Sequence, residues 1–310
     1  LPEKSIVDNA KKHVGSIYVF NIDLKDFFSS IDQARVWARM KYPPFCLNND
    51  RIMIANMVAS LCCHKMEVER RSEQGDWKKQ EKSVLPQGAP TSPILTNVIC
   101  ERLDYLLTGV AKRFGLKYSR YADDITFSSM HNVYQKEGEF IKELTRIVEQ
   151  QGFSIKPQKT RLQKTGFRQE VTGLIVNEQV NVQKRYVKDL RKWIYYWETY
   201  GYARANAYFY PSYIKDKGPL KKGEPNMANV LAGKLEYLKM VKGYNNSTYL
   251  KLNKRYEALV NGVEITQVET TLDIWESQGI DEAMNFYYKD SISSAIKYEG
   301  YSSATTLFTL

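Results

Sequence analysis

Apolar residues recur along the first 180 positions of this chain with two different spacings, and each change of spacing predicts an element. Tyr18-Val19-Phe20-Asn21-Ile22 has the composition of a buried strand, and Asp23 interrupts it where the strand should end. Tyr118 to Ser129, YSRYADDITFSS, holds β-favouring runs on either side of Ala122-Asp123-Asp124, which predicts a tight hairpin with two carboxylates at its tip. Helical spacing predicts helices over 30–40 and 50–64 with Pro43-Pro44 between them. The second should bury Ile54, Met57, Val58, Leu61 and Cys62. A helix from Ile94 to Leu107 turns Leu95, Val98, Ile99, Leu103 and Leu106 inward. Another from Tyr134 to Gln151 turns Phe140, Leu144, Ile147 and Val148 inward, with Gly152 closing it. The charged stretch 66–83 reads as an exposed hairpin or loop, and Glu170 to Asn177 as a strand pair or turn around Gly173.

From Gln183 the pattern is helical. Val187, Leu190, Ile194 and Trp197 form one stripe and Leu231, Leu235, Leu238 and Val241 another, separated by a basic loop over Leu220 to Pro225. Val268 to Trp275 and Ile280 to Tyr288 are further candidate helices. Charge sharpens this division. The net charge is +10, but residues 181–260 carry 16 basic against 6 acidic side chains, whereas 261–310 carry 2 against 8. A basic block interleaved with Tyr and Trp suits a nucleic-acid backbone. The acidic end suits packing, a partner, or cover for the basic block. The 310 residues allow two domains or one with an appendage. No run approaches the ~18 apolar residues a bilayer span needs. No signal-peptide pattern opens the chain, which begins at Leu1. Cys46, Cys62, Cys63 and Cys100 lack metal-binding spacing, so we expect reduced thiols, no disulfide and no zinc.

The chemistry concentrates on acids. Asp123 and Asp124 repel each other unless a cation or protons compensate them, and a hard divalent ion such as magnesium is the natural compensator. Asp23, at the end of an apolar strand, costs several kcal/mol unless paired or metal-bound. If its strand lies beside the hairpin, Asp23 and Asp123 should face each other. Between the two segments runs an uncharged stretch with one Gly and three Pro, Leu85 to Pro93, LPQGAPTSP.

An Asp-bearing strand followed by Phe27-Phe28, then QGAPTSP, then YADD, in that order and at that spacing, resembles the palm of a reverse transcriptase. Asn9-Ala10 with His13, and Val171-Thr172-Gly173, are similar to two motifs that mark the retron group of these enzymes. The resemblance, over roughly residues 5–255, implies an α+β right-hand polymerase. Residues 1–15 and 33–92 would be partial fingers, with a charged loop inserted over 66–84. Residues 16–32 and 93–180 would be a palm, an antiparallel sheet backed by helices; 181–260 would be a basic helical thumb and 261–310 an acidic extension. Part of the usual fingers is expected to be missing upstream.

The resemblance further implies that Asp23, Asp123 and Asp124 are catalytic and hold two magnesium ions. Phe28 would gate the sugar of the incoming deoxynucleoside triphosphate, with Gln87, Gly88 and Lys159 contacting that nucleotide. Asn9, His13, Val171, Thr172, Gly173, Lys184, Lys188, Arg191 and Lys192 would contact nucleic acid; for Asn9 and His13 the alternative is that they tie down the fingers. The implied activity is RNA-directed DNA synthesis from a structured noncoding RNA through an RNA–DNA hybrid. It would serve bacterial anti-phage defence in the cytoplasm, off the membrane, with an effector protein as a candidate partner and self-association open. Two rivals remain at this point: a defence-type relative making repetitive or untemplated DNA, and a catalytically idle RNA-binding scaffold.

Overall fold

Period-two alternation along one strand organises the first half of the molecule. The computed structural model describes residues 5–71, 76–217 and 225–286. The chain folds as two units, 1–183 and 184–310. In the first, the elements run α1 (Ile6–Lys11), β1 (Tyr18–Asp23), α2 (Gln33–Met40), α3 (Ile52–Cys62), β2 (His64–Arg71), β3 (Trp77–Val84), α4 (Ser92–Ile99), α5 (Glu101–Arg113), β4 (Lys117–Tyr121), β5 (Asp124–Ser129), α6 (Glu139–Gln150), β6 (Arg161–Lys164), β7 (Glu170–Val171) and β8 (Leu174–Ile175). Four strands form one antiparallel sheet in the order β4-β5-β1-β6. The architecture is α+β, as expected.

Register gives this sheet two different faces. Phe20 pairs with Phe127 and Ile22 with Ile125, and these four lie buried in one core with Leu103 and Leu107 of α5 and Phe140, Leu144 and Ile147 of α6. Phe140 meets Phe20, Phe114, Phe127 and Tyr134 edge-on at centroid distances of 5.1–6.3 Å. Each such fully buried ring contributes roughly 1.5–3 kcal/mol. The other face pairs Val19 with Ser128, Asn21 with Thr126 and Asp23 with Asp124, so it is polar for most of its length. Asn21 donates to Thr126 Oγ1 at 3.0 Å and accepts from Gln163 Nε2 at 2.7 Å.

Several sequence expectations need correction. The helix expected over 94–107 is two, broken at Cys100 (φ −80°, ψ 0°), with Ser92-Pro93 opening α4. The other helices begin later than their patterns do, at Gln33, Ile52 and Glu139. α3 buries Ala55 and Ala59, while Ile54, Met57 and Leu61 are 50–79% exposed. Its run is apolar nearly all round, so spacing could not choose a face; the small alanine side lies against α2, where close approach is possible. α6 ends as foreseen: Gly152 (φ 73°) lets its own N–H reach Glu149 O and the Phe153 N–H reach Val148 O, a Schellman closure. The charged stretch is the two-stranded hairpin β2–β3, whose tip over 72–75 lies outside the described residues.

The second unit is helical: α7 (Lys184–Lys217), α8 (Met227–Lys242) and α9 (Ser247–Gln278). Gly201 (φ 75°, ψ 165°) breaks α7 into two segments. Leu190, Ile194 and Trp197 of the first expected stripe are buried while Val187 is half-buried, Phe209 joins them, and all four of the second stripe, Leu231, Leu235, Leu238 and Val241, are buried. Asn246 caps α9 by accepting from the N–H groups of Thr248 and Tyr249. The boundary expected at 260/261 falls inside α9, which also takes in the helix expected over 268–275. Residues 218–224, which include all of the expected basic loop except Pro225, and the chain beyond 286 lie outside the described residues. Among the described residues no helix is long and apolar enough to cross a membrane.

Candidate active site

A two-residue loop sets the acids. β4 and β5 pair Tyr121 with Asp124, leaving Ala122 and Asp123 to turn the hairpin, with Ala122 at φ 52°. A positive φ at the first loop residue is what tight hairpins of the primed types require. Asp23 therefore registers against Asp124, not against Asp123 as expected, because Asp123 lies in the two-residue loop and β5 begins at Asp124. The Asp123 carbonyl accepts from Leu24 N–H at 3.1 Å, so all three acids stand at one end of the sheet. Asp23 is buried, and Asp123 and Asp124 are half-buried. Burial raises the Asp124 carboxyl above the ordinary carboxylate range, and the charges of Asp123 and Asp23 push it further the same way.

The tight turn is braced from behind. Arg120, in the same strand phase as Tyr118, gives two hydrogen bonds to Asp104 of α5, at 2.7 and 2.6 Å. A third, from Nη1, reaches the Ala122 carbonyl at 3.1 Å. The Tyr118 hydroxyl also donates to Asp104, at 2.7 Å. Sequence reasoning missed this pair, although a signal was present: an Arg in core-facing phase on a strand demands a carboxylate partner.

Lys159, carried by the 3-10 turn Pro157–Lys159, places Nζ 2.6 Å from Asp23 Oδ2. This hydrogen bond, then the charges of Asp23, Asp123 and Asp124, raises the Lys159 ammonium above its usual range. The ammonium thus stands where positive charge is called for, on one of the three acids. For a metal the donor set fits: three carboxylates, hard oxygens only, in mutual repulsion. Among the described residues, however, no three acidic, His or Cys groups form a ready-made metal-holding arrangement, and Lys159 holds one of the oxygens. A cation entering here would compete with that ammonium for Asp23.

The remaining expected residues lie on other elements of the two units. Phe28 is half-buried, its ring 5.4 Å from Phe27, which packs on Phe153. Gln87 and Gly88 are exposed; Gly88 has φ 91° and open space where a Cβ would sit, so only glycine suits the position comfortably. The Ser92 hydroxyl closes that loop by donating to the Pro86 carbonyl at 2.7 Å. His13 requires correction. It is fully buried, with Nδ1 2.8 Å from Ser128 Oγ and Nε2 2.7 Å from Ser119 Oγ, so its ring ties α1's end to the β4–β5 hairpin and cannot touch RNA. Burial, then Lys117 and Lys12, holds its pKa down at about 3.

Val171 is also fully buried and cannot contact nucleic acid through its side chain. Thr172 (φ 47°) and Gly173 (φ 82°) turn the β7–β8 hairpin, while Thr172 Oγ1 and Asn9 Nδ2 are buried with no hydrogen-bond partner among the described residues. In the second unit Lys184, Lys188, Arg191 and Lys192 are exposed, with Lys192 Nζ 4.2 Å from the Trp193 ring centroid.

Comparison with known proteins places this geometry. The profile of the family "Reverse transcriptase (RNA-dependent DNA polymerase)" matches residues 1–184. The retron Ec86 reverse transcriptase of Escherichia coli is 35% identical over 196 residues, covering 62% of this chain and 53% of that protein. The retron Mx162 reverse transcriptase of Myxococcus xanthus is 36% identical over 182 residues, covering 56% and 37%. The chain thus spans about half or less of the length of these relatives. A solved structure of Candida albicans telomerase with a fragment of telomeric RNA is 12% identical with a TM-score of 0.39, covering 98% of this chain and 54% of that one.

Proposed function

The chain belongs to the reverse transcriptase family, and from that premise we propose that it is an RNA-directed DNA polymerase of the retron kind. The observation that carries this reading is the register of Asp23 against Asp124 with Asp123 in the adjoining loop. In an enzyme of this family three acids so gathered are the groups around which nucleotidyl transfer takes place. Asp23, Asp123 and Asp124 would hold divalent cations, which we take to be two magnesium ions. Bound there, the ions would activate the primer 3′-hydroxyl and neutralise charge on the departing pyrophosphate.

The chain's own groups do the rest. Asp23 would be one of the groups that hold a cation, and Lys159, its present partner, would offer a proton or positive charge to the leaving group. The Phe28 ring lies under the sugar and excludes a 2′-hydroxyl. Gly88 allows the backbone beside Gln87 to approach the nucleotide. Thr172 and Gly173 lie at the primer. Lys184, Lys188, Arg191 and Lys192 grip phosphates along the RNA–DNA hybrid without reading bases.

The template and primer would be a structured noncoding RNA, and the setting bacterial anti-phage defence in the cytoplasm with an effector partner. The test is to purify the chain and sequence both the nucleic acid that accompanies it and the DNA it makes from deoxynucleotides and magnesium. A DNA copy of one defined RNA segment is the expected result. Homopolymer or random product would move the chain to untemplated synthesis. Bound RNA with no incorporation would leave only a scaffold.

A further inference from the structure

The loop that follows β1 is strained. Asp26 has φ 47°, a left-handed conformation that a residue other than glycine keeps only where its surroundings hold it. The Asp26 carbonyl accepts from the Ser30 N–H at 2.8 Å, the Ser30 hydroxyl at 2.8 Å and the Ser29 hydroxyl at 3.1 Å. Phe27 and Phe28 sit inside this curl. Phe27 is pinned in the core against Phe153, and the half-buried Phe28 leans edge-on against Phe27, so its height depends both on that contact and on the backbone that carries it.

That backbone is held from outside the loop. Arg70, near the far end of β2, donates from Nη2 to the Ser29 carbonyl at 2.7 Å and to Asp32 Oδ1 at 2.5 Å. The Ser29 carbonyl belongs to the residue directly after Phe28. Lys82 of β3 approaches the other Asp32 oxygen at 3.5 Å, and Leu85 N–H reaches the Ile31 carbonyl at 3.1 Å. Asp32 precedes α2 as its N-cap, yet its side chain makes no capping hydrogen bond. A carboxylate at this position ordinarily stabilises its helix through such a bond. Here it is turned to the β2–β3 hairpin instead, and the guanidinium, only 20% exposed, spans loop and helix start together.

We propose that Arg70 is a positioning residue for sugar selection: clamped between the Ser29 carbonyl and Asp32, it fixes the height of Phe28. This rests on the reading of Phe28 as the sugar gate. Excluding one hydroxyl is a matter of fractions of an ångström, so a loosened Phe28 admits ribose although the ring is still present. The acids stand on β1 and the β4–β5 turn, outside this clamp, so the rate with the correct nucleotide is spared.

The test measures single-nucleotide incorporation of dNTP against rNTP, with magnesium and a primer–template, for the full chain and for Arg70→Ala, Arg70→Lys, Asp32→Asn, Phe28→Ala and the double variant Phe28→Ala/Arg70→Ala. Phe28→Ala should lose most discrimination. Arg70→Ala should lose roughly three- to tenfold of it with dNTP turnover within about twofold of the parent, and the double variant should lose no more than Phe28→Ala alone. Asp32→Asn, which keeps a capping residue before α2 and so guards against misfolding, should lie in the same direction as Arg70→Ala. Arg70→Lys, with one compact donor in place of a fork, should fall between. Unchanged selectivity in both Arg70→Ala and Asp32→Asn, while Phe28→Ala loses it, overturns the clamp and leaves the gate standing. Unchanged selectivity in Phe28→Ala removes the gate and the clamp with it, and additive losses in the double variant also overturn the clamp.

Discussion

One face of the β4-β5-β1 sheet carries polar groups at both ends, and the two ends are solved in opposite ways. At the far end His13 lies between Ser119 and Ser128, Ser16 donates to Ser128, and the donors and acceptors answer one another with no net charge, fully buried. At the near end Asp23, Asp123 and Asp124 crowd together with a single ammonium, that of Lys159, on one of them. Between the two ends Asn21, Thr126 and Gln163 hydrogen-bond to one another. The first arrangement is complete within the protein and serves the fold. The second leaves its charge to be balanced from outside, as expected of a site that acts on polyphosphate. The same strand type and the same alternation produce both, so what separates structure from function here is whether the polar groups are satisfied from within.

That contrast can be broken or sharpened by measurement. The largest effect on stability belongs to the far end. His13→Ala leaves two buried hydroxyls without partners and should cost about 2–4 kcal/mol in denaturant unfolding, while the folded fraction keeps its rate. Next is pH. His13 titrates near 3 when folded but near 6.5 when unfolded, so its stabilisation is full above about pH 6.5 and is lost as pH falls toward 3. Denaturant unfolding across that window should show the fall, and His13→Gln should flatten it. Asp124 works with the opposite sign. Its carboxyl is raised in the fold, so stability falls as pH rises through the range just above its ordinary value.

Asp124→Asn, by removing a like charge directly across from Asp23, should accordingly stabilise the metal-free protein by about 0.2–1 kcal/mol in thermal unfolding at neutral pH. Excess magnesium should erase that advantage by stabilising the parent more than the variant. The smallest effect lies in the second unit. Lys188→Ala should reduce the salt slope of duplex binding by about one, read from affinities across a salt series.

Much of this was legible in the chain, and the remainder was hidden for identifiable reasons. β1 and the hairpin announced themselves because an apolar alternation stops at an acid. α6 and the stripes of α7 and α8 were readable because polar faces oppose apolar ones. The face of α3 was not, since Met53, Ile54, Met57 and Leu61 make it apolar around most of its circumference and its alanines decide the packing. The partner of Asp23 depended on a two-residue loop, and counting one residue differently exchanges Asp124 for Asp123. The Arg120–Asp104 brace joins residues on different elements, which spacing alone does not bring together. His13 was recognised as a motif residue, but only the packing of α1 against β4 reveals that its ring faces inward.

The most direct measurement is single-nucleotide extension of an RNA-templated primer by the Asp123→Asn variant, with template binding measured alongside. The account predicts incorporation at least about a thousandfold below the parent, with RNA affinity and melting temperature retained. Incorporation at the parent's rate would contradict it, because the acid end of the sheet could then no longer be where the chemistry occurs.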